Sequence, residues 1–235
     1  DLLGVPYSER QPLRAWARAI LGALEPVCTP AALDLGNAAV VEFKTYLRQL
    51  IARKRAHPPG ADNLDVLWAL VRAHDQDAEL SELEILHNAI FMLNAGHDTT
   101  GSLIANGVDL LLDHPEQMQR LRDEPGLMKS AIEEMLRVES PLQIGNRRAL
   151  CDTELGGEKI AAGSFLHLVI ASANRDERQF PAAENFDVAR SPNKHLAFAH
   201  GIHTCAGNSV ARIEAVIAFS KLLQRFPRMR RVAAV

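Results

Sequence analysis

Apolar positions recur at helical spacing through the first half of the chain, break into short runs after Pro141, and return to helical spacing near the C-terminus. From Ser8 to Leu24, the residues Leu13, Trp16, Ala17, Ile20, Leu21 and Leu24 mark one face of an amphipathic helix, with Ser8-x-x-Gln11 placed as a capping box. After a break at Pro30, Leu35, Val40, Phe43, Leu47, Leu50 and Ile51 predict a second helix. It ends in Arg53, Lys54 and Arg55, where cations suit the carbonyl end of the helix dipole, and His57-Pro58-Pro59-Gly60 stops it. A short helix over Leu64 to Arg72 follows, then a polar connection from Asp75 to Leu80. Ser81-x-x-Glu84 is a capping box that opens the longest run, Glu82 to Asp113, which His114-Pro115 ends. At about 1.5 Å per residue, such a helix crosses a whole domain. Pro115 starts another helix, and Pro125-Gly126 separates it from one over Leu127 to Val138.

Beyond Ser140-Pro141, Leu142 to Leu150, Thr153 to Gly156 and Phe165 to Ile170 read as strands of a small antiparallel sheet. A polar meander through ASANRDERQFPAAENFDVAR comes next. The last helix spans Ala206 to Arg225, with Val210, Ile213, Val216, Ile217 and Leu223 on its expected buried side. The predicted class is mainly α with a small antiparallel β-sheet.

Composition narrows the function more than the fold. The 235 residues are 47% hydrophobic and 23% charged, with a net charge of -3, so nothing marks a nucleic-acid partner. No apolar run is long enough to span a bilayer and no signal peptide is evident, which makes the expected location cytoplasmic and excludes a membrane partner. Cys28, Cys151 and Cys205 are odd in number and far apart, which suits a reducing compartment better than a disulfide framework. The chain starts at Asp1 without an initiator methionine and reads as a fragment.

Two stretches carry candidate chemistry. The loop FAHGIHTCAG, Phe198 to Gly207, presents Cys205 between Gly201 and Gly207, just ahead of a helix whose free amide hydrogens favour a thiolate. Taken alone, a cysteine among apolar residues is a small buried hydrophobe. His200, His203 and Cys205 also make a candidate zinc set, but zinc sites usually pair ligands at repeated spacing and no second pair appears. The other stretch is AGHDTT, Ala95 to Thr100, in the middle of the long helix. Ala95 and Gly96 let a flat ligand approach the backbone, and the Thr99 hydroxyl can return to the Ala95 carbonyl and open the helix. Asp98 is a carboxylate in an otherwise apolar helix, costly there unless it has a partner or a task.

Together these stretches resemble the cytochrome P-450 monooxygenases. Phe198, Gly201, His203, Cys205 and Gly207 match the haem-ligand signature, with Ala199 where that family usually has glycine. Ala95, Gly96, Asp98, Thr99 and Thr100 match every defined position of its oxygen-activation motif. Glu134 and Arg137 match its Glu-x-x-Arg pair, a structural pair. The family's third partner is an arginine in a Pro-Glu-Arg-Phe-like segment. Here Asn185 occupies that position, and Arg190 is an open candidate to replace it.

The resemblance implies the central and C-terminal part of the cytochrome P-450 fold, lacking both ends, as one partial domain. Its parts are pocket-lid helices over 1–80, the long central and following helices over 81–138, the β region and meander over 139–204, and the ligand loop and last helix over 205–235. It implies haem b with Cys205 as axial ligand. His203 and Arg147 contact propionates, Ala95, Gly96, Phe198, Gly201 and Gly207 shape the cofactor site, and Asp98 and Thr99 handle dioxygen and its protons. Phe91, Asn94, Gln143 and Ile144 line the substrate site. The implied reaction inserts one atom of O2 into a small organic substrate, with electrons from a ferredoxin or flavodoxin and its reductase. A peroxide-driven enzyme would not need the Asp98-Thr99 relay. A cofactor-free helical module and an inactive fragment are the remaining alternatives.

Overall fold

The computed structural model describes residues 2–25, 27–60, 65–77 and 80–231, and these divide into two compact units, 1–98 and 99–235. Helices dominate, with short antiparallel strand pairs, which is the expected class. No described helix is long and apolar enough to cross a membrane.

In the first unit, α1 (Leu13–Gly22) is shorter than the pattern implies. Tyr7–Glu9 form a separate 3-10 turn, Pro12 occupies the N-cap, and the Ser8-Gln11 box does not cap the helix. Helix α2 (Pro30–Ala56) begins at the proline expected to break it, since a residue without an amide hydrogen is tolerated in the first turn. The Thr29 hydroxyl caps it by accepting from Ala32 N at 3.2 Å. Helix α3 (Val66–Asp77) runs further than expected, while Leu64, its expected first residue, lies outside the described residues. The capping box of α4 (Glu82–Asp113) forms as read, with Ser81 N donating to Glu84 Oε2 at 2.7 Å and Glu84 N donating to Ser81 Oγ at 3.3 Å. Phe43, Leu47, Leu67, Val71, Ile85 and Leu86 form the core, and Trp16 stacks on Phe43 with ring centroids 5.1 Å apart.

The second unit holds the rest of α4, which continues from Thr99, then α5 (Pro115–Asp123) and α6 (Met128–Val138). The expected single sheet is two: β1 (Ile144–Arg148) pairs with β4 (Phe165–Val169), and β2 (Thr153–Leu155) with β3 (Glu158–Ile160), both antiparallel. Gly156 and Gly157 turn the second hairpin with φ of 61° and 88°, conformations that favour glycine. A short α7 (Ile170–Ala173) leads into the meander, and α8 (Asn208–Arg225) closes the unit.

Helix α8 buries Ala215, Phe219 and Leu223, spaced four apart, against Leu103, Leu111, Ala131 and Met135. The expected face is largely wrong: Leu223 is buried, but Val210, Ile213 and Ile217 are 48%, 59% and 51% exposed. The helix is apolar on more than one side, so periodicity cannot choose the buried one. Geometry does, because Gly107 of α4 leaves room for Phe219; a Cβ there would sit 2.5 Å from the ring and 2.7 Å from Met135 Sδ.

Candidate haem-thiolate site

The ligand loop is closed by its own backbone. Cys205 N donates to Phe198 O at 2.9 Å, and the Thr204 hydroxyl donates to Gly201 O at 2.8 Å. Gly201–His203 make a 3-10 turn that follows the left-handed residue Ala199 (φ 58°) and ends at Thr204 (φ -54°, ψ 133°), with Gly201 itself at φ 73°. Helix α8 starts at Asn208, two residues later than expected, with Gly207 at its N-cap and no side-chain cap. Cys205 thus precedes the positive end of α8, and its carbonyl accepts from Asn208 N at 3.3 Å and from Asn208 Nδ2 at 2.6 Å.

Cys205, His200, His203, Gly201 and Gly207 are all exposed, and Ile202 is 97% exposed. The donor set fits a haem iron: one soft sulfur on a rigid turn, with an apolar side chain beside it and open space around it. Among the described residues no three His, Cys, Asp or Glu lie together as a metal cage, so His200, His203 and Cys205 do not make the alternative zinc site.

Ala199 stands in the left-handed region, where an alanine costs about 1–2 kcal/mol and a glycine does not. Ala199→Gly is therefore expected to gain up to about 1 kcal/mol, after the added freedom of glycine in the unfolded chain is subtracted. Urea denaturation checks this, and a loss of stability would contradict it.

The Glu-x-x-Arg pair forms the buried centre of the second unit. Glu134 and Arg137 are fully buried and joined by two bonds of 2.8 Å. Arg190 takes the arginine's place that Asn185 leaves: its Nε donates to Glu134 Oε1 at 2.9 Å, and it also donates to the carbonyls of Pro181, Ala182 and Asn185. Asn185 contributes its carbonyl, which also accepts from Arg137 at 3.1 Å. Asn193 completes the set, donating to Glu134 Oε2 at 3.0 Å.

The remaining predicted residues lie on α4 and β1. Ala95, Gly96, Asp98 and Thr99 are exposed, and a Cβ at Gly96 would meet nothing within 4 Å. Phe91 is 69% exposed, whereas Asn94 is only 6% exposed, so the two do not share an open face. Asn94 Nδ2 donates to Ile90 O at 2.8 Å, which fixes the amide's orientation and leaves Oδ1 without a partner among the described residues. Gln143, Ile144 and Arg147 are exposed on and beside β1, and Arg147 Nη1 donates to Asn146 O at 2.8 Å.

Sequence reasoning missed Glu133, His195 and Arg212. Glu133 accepts from Arg212 through both oxygens, at 2.6 and 2.8 Å, and lies 3.0 Å from His195 Nε2. Burial pushes its carboxyl up, but the hydrogen bonds from Arg212 and His195 outweigh burial and bring it down from 4.5 to about 2.

The family model for Cytochrome P450 matches residues 27–228. Cytochrome P450 CYP107DY1 of Priestia megaterium is 41% identical over 235 residues, covering 98% of this chain and 54% of its own length. The Biotin biosynthesis cytochrome P450 of Bacillus subtilis is 40% identical over 227 residues, covering 97% of this chain and 56% of its own. A crystal structure of P450BioI in complex with a hexadec-9Z-enoic acid ligated acyl carrier protein superposes with a TM-score of 0.92 at 38% identity. It covers 100% of this chain and 59% of that one. The chain belongs to the cytochrome P450 family, and it spans about half the length of the curated relatives it matches.

Proposed function

We propose that this chain carries the haem-thiolate centre of a monooxygenase. The reaction places one atom of O2 in an organic substrate and releases the other as water, taking two electrons from a separate ferredoxin or flavodoxin with its reductase. The observation that carries this reading is the ligand loop, a family signature folded into a closed turn with an exposed Cys205 at its exit. Haem b, when bound, supplies the redox chemistry and the activation of dioxygen.

The protein's own residues bind, orient and deliver protons. Cys205 would supply the thiolate that holds the iron, and the positive end of α8 favours that charge. Arg147 and His203 hold propionates; an arginine fork matches a carboxylate in two-point geometry. Ala95 and Gly96 keep one stretch of α4 thin enough for a flat group to approach, and Phe198, Gly201 and Gly207 shape the loop. Asp98 passes protons and the Thr99 hydroxyl orients their acceptor. Phe91, Gln143 and Ile144 are exposed and face the substrate, while Asn94 is buried and bonds to Ile90 O instead. The expected location of the parent protein is the cytoplasm.

The test is haem titration followed by reduction under carbon monoxide. A strongly red-shifted Soret band is expected. Haem bound with an unshifted band would overturn the thiolate assignment.

A further inference from the structure

The ligand loop is held from outside by three residues that no signature names. Arg212 lies over the Phe198 ring, 4.5 Å from its centroid, so it touches the residue that opens the loop. Its Nη1 also donates to Asn208 Oδ1 at 2.8 Å, and Asn208 Nδ2 donates to the Cys205 carbonyl. One guanidinium thus braces both the entrance and the exit. His195 supports the entrance separately: its Nδ1 accepts from Ala197 N at 3.1 Å, and its ring packs 6.0 Å from that of Phe198. An accepting Nδ1 requires the hydrogen on Nε2, which leaves Nε2 to donate to Glu133. Both braces end on one carboxylate.

We propose that Glu133 is a positioning residue for the Cys205 loop, acting through Arg212 and His195. Adjacent glutamates on α6 then have separate tasks: Glu134 organises the meander around Arg137 and Arg190, and Glu133 organises the ligand loop. The arrangement also sets the local charge. The hydrogen bond to Glu133 raises the Arg212 pKa most, and burial opposes it. Arg212 reaches the Cys205 carbonyl through a single side chain, Asn208, and Glu133 balances its charge.

The electrostatic half of this proposal rests on the haem-thiolate reading; the positioning half does not. Amide hydrogen exchange on the cofactor-free chain tests positioning. In E133Q and R212M, exchange at Ala197 and Cys205 is expected to speed up by about tenfold, with α5 and the helices of the first unit unchanged. Arg212→Lys keeps the charge but not the fork, and is expected to fall between. Unchanged exchange at the loop, or equal acceleration everywhere, would overturn the proposal.

The haem reduction potential tests the charge. E133Q leaves the Arg212 cation uncompensated and is expected to raise the potential, because reduction adds negative charge. R212M leaves Glu133 uncompensated and is expected to lower it. A loosened loop gives no reason for opposite signs, so shifts of one sign in both variants would sink the electrostatic half. If the unaltered chain takes up no haem, the functional reading fails and the exchange measurement alone decides positioning.

Discussion

Arg137→Met is expected to cost about 3–5 kcal/mol, the usual range for removing one partner of a buried ion pair. The Arg137 side chain is fully buried and spends its donors on Glu134 and on the carbonyls of Asn174, Ala183 and Asn185, with the Phe180 ring beside it. Methionine fills much of the volume but leaves the carbonyls of two buried residues, Asn174 and Ala183, short of a donor, while Asn185 keeps Arg190. Glu134 keeps Arg190, Asn193 and the Asp187 amide, so its charge is not stranded. Glu134→Gln is expected to be worse, since two arginines then share no counter-charge. Both tryptophans, Trp16 and Trp68, lie in the first unit, so far-ultraviolet circular dichroism in urea is the suitable measurement. A loss below about 1 kcal/mol for Arg137→Met would place it with ordinary surface pairs and refute the structural role.

Cys205→Ala is expected to behave in the opposite way, abolishing the red-shifted carbon monoxide band completely while leaving stability almost untouched. The side chain is exposed, and the bonds that hold residue 205 come from its backbone: the amide to Phe198 and the carbonyl from Asn208. Alanine keeps both, so the loop persists and only the sulfur donor goes. Optical titration with haem, run beside a thermal melt, checks the two halves together. A red-shifted band surviving in the variant would show that Cys205 is not the ligand.

Local signals served the sequence reading well where they were two-sided. The Ser81-Glu84 box and the His114-Pro115 stop bracket α4 because each end has its own chemistry. They served poorly where one residue type has two uses: Pro30 starts α2 rather than breaking the chain, and Ser8-Gln11 caps nothing. On α8 the apolar residues go most of the way round, and the buried side follows from the gap at Gly107, which lies on another helix. The Cys205 loop was legible as a contiguous pattern. Its braces were not, because His195 and Arg212 reach Glu133 across 62 and 79 residues, with no fixed spacing to betray them. Arg190 was visible only as one candidate, and its three carbonyl partners settle the matter through geometry.

The second unit returns to the helix from which it departs. Phe219 rests at Gly107, and further along Arg231 forks onto Asp109 and Asp113 of the same α4. Its path is therefore a circuit, joined to itself at one seam. A single proteolytic cut at the exposed Gly156–Gly157 turn would open that circuit without freeing either strand of it, as a nick in a ring leaves one connected piece.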